Sequence, residues 1–519
     1  MSTTYGEQTT PGSPPGSGVA TTTGTGAGTH ASGPDPRRWL ALGVIAIAQL
    51  MVVLDASIVN IALPSAAKSL HMGSLSNAQW VITAYTLAFG GLLLLGGRIA
   101  DYNGRKKTFI IGLVGFAVAS GVGGAATSSS MLFGARAVQG AFAALLAPAA
   151  LSLISTTFTE ARERATAFGV YGAISGGGAA IGLIFGGVLT EYTSWRWCLY
   201  VNIPIALVAA VGALRVVSES ALAQRNRYDL PGAALVGGGL VALVYATTQA
   251  AKPGLGWTSS EVLVLLGAAA VLLAGFVVHE RRTAHPLLPL RVPLQRDRGA
   301  SFLAALLVGA GLFAMFLFLT YYFQQNLGYS ALKSGFAFLP FSAGIIFSAG
   351  VVSQVLPRVG PKPLMTGGLV LATLGLLSLV TLGEHTSWAS HVLPAELALS
   401  IGMGMVFVPL SSTALIGVAE HDAGVASALL NTSQQIGGAL GTAVLSTVFA
   451  SSWHSYLDAR HLAPLQTPNG PQPTGLASLH GYHVAFTIGA AMLAAALVVV
   501  LALVNARKDD LPTEGTVAV

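Results

Sequence analysis

The feature that most constrains this chain is a succession of apolar segments, each close to twenty residues long, running from Trp39 to Val504. About 20 apolar residues in a helix cover roughly 30 Å of hydrocarbon. In that medium only helices and closed barrels satisfy their own backbone groups. Fourteen such segments are present, with approximate limits 39–63, 78–97, 108–127, 131–155, 165–190, 198–217, 232–250, 261–279, 300–323, 334–355, 364–382, 394–416, 427–450 and 482–504. The expected fold class is therefore an all-α integral membrane protein with a lipid bilayer as its solvent. Only 9% of residues are charged, against about 25% in soluble domains, which excludes a water-soluble enzyme. The net charge of +6 does not indicate a nucleic-acid partner, because the basic residues lie in short clusters between apolar runs. A single cysteine, Cys198, allows neither an intrachain disulfide nor a cysteine-based metal site.

Charge also orients the chain. With the N-terminus inside, twenty of the 26 Lys and Arg residues fall in cytoplasmic segments and five in outer ones, while Arg136 lies within a span. This positive-inside bias predicts a multi-pass protein of the cytoplasmic membrane with both termini in the cytoplasm. Residues 1–36, rich in Gly, Ser, Thr and Pro, read as a disordered tail. The first apolar run is too long and starts too late for a secretory signal, and residues 451–481 read as the one long outer loop. Internal similarity is faint. The loop after helix 2 and the loop after helix 10 share Gly104/Gly360 and Lys106/Lys362, and helices 4 and 12 each carry a Gly followed by a Pro, Gly140–Pro148 and Gly402–Pro409. Such repeats suit a secondary transporter. They divide the chain into a six-helix bundle over 37–217, a linker with two extra spans over 218–299, a second six-helix bundle over 300–505 and a cytoplasmic tail over 506–519.

Asp55 is the sharpest candidate for function. A carboxylate near the centre of a spanning helix costs about 2.5–3.5 kcal/mol on insertion scales and commonly marks an ion or proton path. Desolvation favours the neutral form of a carboxyl, which suits it to exchange protons, although a structural salt bridge is the alternative. Glu261 and Glu396 fall near helix ends and Glu384 in a loop, so Asp55 is expected to be the one deeply buried acid. Arg136 lies at a similar depth on helix 4, and long basic side chains there can also snorkel to headgroups. Gly178, Gly182 and Gly186 recur every fourth residue on helix 5, with Gly187 adjacent, as close helix packing requires. Asn60, Gln79, Trp80, Tyr85, Gln139, Tyr321, Tyr322 and Phe323 form a polar and aromatic set suited to a substrate cavity or to interfacial belts.

Four segments carry a family resemblance: LDASIVNIALP (Leu54–Pro64), the Gly97, Asp101, Gly104, Arg105, Lys106 pattern, RAVQGAFAALLAP (Arg136–Pro148), and SGGGAAIGLIFGG (Ser175–Gly187) followed by Trp195–Trp197. Together, and in this order, they resemble the fourteen-span drug:proton antiporters of the major facilitator superfamily over residues 38–505. The resemblance implies two six-helix bundles with two inserted central helices. It implies that Asp55 and Arg136 couple protons, that Gly97, Asp101, Gly104 and Arg105 form a cytoplasmic gate favouring an outward-open state, and that the helix-5 glycines form a hinge-like interface. The chain departs from the family at Leu183, where the antiporter motif has Pro, and at Tyr102 and Asn103, where the loop motif has a basic residue.

The function expected is proton-coupled efflux of amphipathic drugs or natural products by alternating access. Its energy would come from the proton gradient, with no cofactor and no required protein partner. With one buried acid, neutral or singly cationic cargo is expected. A dedicated exporter of one secondary metabolite and a proton symporter of the same fold are the alternatives. Phosphate-loop, zinc-protease and nucleophile-elbow motifs are absent from the sequence, which argues against an enzyme or an ATP-driven pump.

Overall fold

The computed structural model describes residues 37–510 except 159, 220–227, 251–254, 385, 419–421, 468–469 and 473–474. The tail expected over 1–36 and the final residues 511–519 lie outside the described residues. Fourteen helices are long and apolar enough to cross a membrane. They are α1 (Arg38–Ser69), α2 (Trp80–Ala100), α3 (Arg105–Gly124), α4 (Ser129–Thr157), α5 (Thr166–Tyr192), α6 (Trp197–Val216) and α7 (Leu230–Ala250). After these come α8 (Ser260–Arg282), α9 (Arg296–Asn326), α10 (Ala331–Val359), α11 (Pro361–Thr381), α12 (Trp388–Leu415), α13 (Ala423–Ala459) and α14 (Gly475–Leu503). Helical turns continue α2 to Asn103 and begin α5 at Ala161.

Local chemistry sets several boundaries. Ser128, Ser259 and Ser330 each sit one residue before a helix and accept a hydrogen bond from a first-turn N–H, those of Met131, Val262 and Lys333. This is the standard solution for a helix's orphan donors. The sequence-based limits err mainly by shortness. Helix α12 begins at Trp388, and α13 runs from Ala423 to Ala459. The long loop expected over 451–481 accordingly shrinks to 460–474, where Leu465–Thr467 pairs antiparallel with Gly470–Gln472.

Packing repeats with a shift of eight helices. In the first bundle α1 packs on α5 and α6, α2 on α4, and α3 on α4 and α6. In the second, α9 packs on α13 and α14, α10 on α12, and α11 on α12 and α14. Helices α7 and α8 pack on each other, and α7 also touches α2 and α13. The architecture is thus two six-helix bundles with two inserted helices. Large apolar side chains face outward, such as Val271 and Phe347, each 71% exposed, as a lipid-facing surface requires.

The two bundles touch closely at the end remote from the basic loops. There Gln324 Nε2 donates to Ile61 O at 3.0 Å, and Glu191 Oε2 accepts the Leu332 N–H at 2.9 Å. Nearer mid-depth, Thr432 Oγ1 donates to Gly90 O at 3.1 Å.

Candidate functional site

Asp55 and four other polar side chains, from four helices in all, meet in one cluster, each at most 1% exposed. Asp55 Oδ2 accepts from Arg136 Nη1 at 2.6 Å. Its Oδ1 accepts from Gln139 Nε2 and from Asn202 Nδ2, both at 2.8 Å. Ser120 Oγ lies 3.1 Å from Gln139 Nε2 and 2.9 Å from Asn202 Nδ2, and donates onward to Leu199 O at 2.8 Å. Helices α1, α3, α4 and α6 are therefore tied to one carboxylate.

Arg136 extends the network to α2. Its Nε donates to Val81 O at 3.0 Å, its Nη1 also reaches Gln139 Oε1 at 2.8 Å, and its guanidinium lies 4.3 Å from the centre of the Tyr85 ring. Every atom facing Asp55 here is a donor, so the cage fits a carboxylate and not a carboxylic acid. A buried pair of this kind holds together through its geometry, and removing one partner leaves the other as an uncompensated charge. A proton on Asp55 would therefore release Arg136, whose remaining contacts reach α2 and its own helix.

The helix-5 glycines set α1 in place from its opposite side. A Cβ at Gly182 would collide with Ser57 Oγ, one at Gly186 would come within 2.9 Å of Ile58 O, and one at Gly178 within 3.1 Å of Val53. Gly187 instead meets Leu332 of α10, and Gly335 of α10 meets Leu183 O. One stripe of small residues thus holds the Asp55 helix, and its neighbour seats the second bundle. With Leu183 in place of Pro, the helix runs unbroken from Ala161 to Tyr192.

The cavity set is dispersed. Gln139 belongs to the Asp55 cage, and Tyr85 lies beneath Arg136. Gln79 is fully buried with both amide atoms unpartnered. Trp80 stands 6.2 Å from the Tyr245 ring of α7, and Asn60 donates to Ala56 O on its own helix. The Tyr321 hydroxyl is buried without a partner. Tyr322 donates to Gly383 O at 2.9 Å, and Phe323 stacks on Tyr329 at 5.8 Å, both in a packed aromatic core.

At the basic end, Gly104 adopts φ +99° between α2 and α3, a conformation that favours glycine. The Glu219 carboxylate occupies the space beside it and accepts the N–H groups of Lys106 and Lys107 at 3.1 and 3.2 Å. An acidic group at a helix N-terminus is electrostatically favoured. Gly97 faces Pro148 of α4, and Arg105 opens α3. The Asp101 side chain lies outside the described residues. Tyr102 and Asn103, the departures from the motif, meet Tyr228: the two rings are 5.5 Å apart, and the Tyr228 hydroxyl donates to Asn103 Oδ1 at 2.8 Å.

Three buried polar residues escaped sequence reasoning. Ser120 and Asn202 were signalled only as polar residues inside apolar runs. The expectation of a single deep acid is corrected by Glu396, which is 1% exposed. It lies eight residues inside α12, because that helix starts six residues earlier than its apolar run suggests.

The Major Facilitator Superfamily model matches residues 45–442. The chain is 48% identical over 490 residues to the puromycin resistance protein of Streptomyces alboniger, covering 94% of this chain and 95% of that one. It is 40% identical over 415 residues to the cephamycin export protein of Amycolatopsis lactamdurans, covering 79% and 85%. A crystal structure of a bacterial homolog of the human lysosomal transporter Spinster, inward-facing and unoccupied, superposes with a TM-score of 0.64 at 15% identity, covering 93% of this chain and all of that one. Fourteen spans, a repeated six-helix packing and relatives of this kind make the chain a membrane transporter and not an enzyme; it belongs to the Major Facilitator Superfamily.

Proposed function

We propose that this protein exports amphipathic drugs or natural products across the cytoplasmic membrane in exchange for protons, by alternating access of its two bundles. The observation that carries the reading is the fully buried Asp55 carboxylate, held by Arg136, Gln139 and Asn202 across three helices. Protonating it removes the charge that fixes Arg136, so proton binding and helix rearrangement become one event. Inward movement of one proton is worth about 2.3 kcal/mol per 100 mV of potential.

The positive-inside bias puts the basic loops and both termini in the cytoplasm. The close contacts of Ile61, Glu191, Gln324 and Leu332 are then on the outer side, which corresponds to an inward-facing state. In the outward-facing state Asp101 and Arg105 would latch the cytoplasmic ends, with Gly97 and Gly104 permitting the close approach.

The relatives' names support resistance and export as the physiological direction. Because the relatives described above are each named for a single compound, puromycin and cephamycin, a dedicated exporter of one metabolite is the second reading. The decisive experiment uses everted membrane vesicles loaded by uptake of a fluorescent lipophilic cation or of puromycin. Accumulation should require an acid-inside gradient and vanish in Asp55→Asn. Transport that persists in that variant with undiminished proton dependence refutes the mechanism.

A further inference from the structure

The two bundles carry matching contact rows on α4 and α12, and the rows open on opposite charges. On α4, Gly140 presses on Tyr85 O of α2, and Ala144 meets Gly96 of α2. On α12, Ser400 meets Gly344 of α10 and Gly404 meets Ser348 of α10, whose hydroxyl donates to Ile401 O at 2.7 Å. One turn before each row, on the same helix face, stand Arg136 and Glu396. Pro148 and Pro409 follow each row at nearly the same distance. Arg136 faces α2 and finds Asp55, Gln139 and Val81 O. Glu396 occupies the corresponding place toward α10, and neither of its carboxyl oxygens has a partner.

Among the described residues, none pairs with this carboxyl as a counter-charge. On the helices packed against α12, Arg296, Asp297, Arg298, Arg358 and Lys362 stand at the opposite, basic end. At its own end, Lys333 on α10 lies over the Tyr329 ring at 3.8 Å. His454 on α13 is bonded to Ala450 O at 2.7 Å, and His391 in the turn before Glu396 to Ser390 Oγ at 2.8 Å. The Tyr321 hydroxyl of α9 is buried and unpartnered, like Glu396 itself. A carboxylate so placed would be an unpaired buried charge, whereas the neutral acid carries a far smaller penalty. Glu396 lies in the first α-helical turn after a π-helical turn, Trp388–Val392, a distortion often found at functional positions.

We propose that Glu396 is a second proton-carrying group, still neutral in the conformation described here, from which it gives its proton to the cytoplasmic side, and reloaded from the outer side in the alternate one, so that two protons move inward for each cargo molecule exported. This rests on the exchange reading given above. In the step itself the carboxyl O–H bond breaks toward water admitted between α10 and α12 from the cytoplasmic side, water takes the proton as hydronium, and the carboxylate remains until it is reprotonated from the outer side in the alternate conformation.

The test has two parts. In purified protein in phospholipid nanodiscs, infrared difference spectra between acid and alkaline pH should contain a carboxylic C=O band that is lost in Glu396→Gln. In proteoliposomes, the proton-to-cargo ratio for ethidium, read from the gradient at which net flux reverses, should fall from two to one in the same variant. If Glu396→Gln does not fold, Glu396→Asp serves instead, and the band should shift in position. An unchanged infrared band, or wild-type coupling that the variant leaves at the same ratio, overturns this inference alone. Wild-type flux indifferent to the proton gradient overturns both it and the exchange reading.

Discussion

Asp55→Asn keeps the size of the side chain and removes its charge, and the cage geometry specifies the outcome. Three donors converge on the two carboxyl oxygens, and an amide supplies one oxygen and one NH2. If the oxygen faces Arg136, the NH2 opposes the amide nitrogens of Gln139 and Asn202; if it is turned around, the NH2 opposes the guanidinium. Either way the ion pair at 2.6 Å is lost and Arg136 is left buried with no anion. Breaking such a pair from one side costs about 3–5 kcal/mol. Arg136→Gln should be destabilising to a similar extent, because it strands Asp55. The double variant Asp55→Asn with Arg136→Gln strands neither charge, so its loss of stability should be smaller than the sum of the single losses by about 3 kcal/mol, well beyond the ~0.5 kcal/mol expected of independent sites. Denaturant unfolding in mixed micelles measures the cycle, and vesicle transport measured in parallel should stay abolished in all three. Additive losses, or a double variant that regains proton-driven transport, would show that the pair is not the coupling element.

Four further outcomes follow from particular contacts. Gly182→Ala drives a methyl into Ser57 of α1 and should reduce stability by about 1–3 kcal/mol, whereas Gly172→Ala, with open space around it, should be neutral; thermal unfolding of the two variants compares them directly. Glu191→Ala removes the acceptor of the Leu332 N–H and should loosen the non-basic end of the bundle contact by about 1 kcal/mol, read as a longer distance between spin labels on α5 and α10. Asn202→Leu leaves Asp55 Oδ1 with one donor instead of two and should impair transport without abolishing it, as vesicle uptake can quantify. For Asp229, burial pushes the carboxyl up, but the Gly232 N–H and His279 outweigh it and hold the group below its usual range. A lowered folded value stabilises the start of α7 above about pH 4, the ordinary carboxylate value, and that stabilisation disappears as pH falls further. Amide exchange at residues 230–233 should show this acid-side loss in the wild type and none in Asp229→Asn.

Much of this architecture is legible in the sequence because hydrocarbon imposes a length on each helix and a polarity on its surface. The span count, the loop charges and Asp55 with Arg136 all follow from that constraint. What it hides are the helix starts and the partners. Trp388 to Val392 form a π-helical turn that no apolar count reveals, so Glu396 looks terminal in the sequence and is deep in the fold. Asn202 and Ser120 are single polar residues in apolar runs, and nothing in their spacing indicates that α3 and α6 turn them toward Asp55. Tyr322 and Phe323 look like cavity residues by composition, yet they pack among Tyr329, Phe338 and Tyr482. Aromatic content alone does not distinguish a lining from a core.

Helices α7 and α8 close one side of the protein to the bilayer. A two-lobed protein in a bilayer has two lateral seams, and here one is roofed: Leu87 of α2, Leu240 and Val244 of α7, and Ala439 and Ala443 of α13 form a single apolar cluster with Leu273 of α8 against it. Thr447 Oγ1 pins the roof to α13 through Thr247 O at 2.8 Å. A hydrophobic molecule dissolved in the leaflet meets a wall on that flank, whereas on the other flank α5 and α10 pack directly on each other with no inserted helix over them.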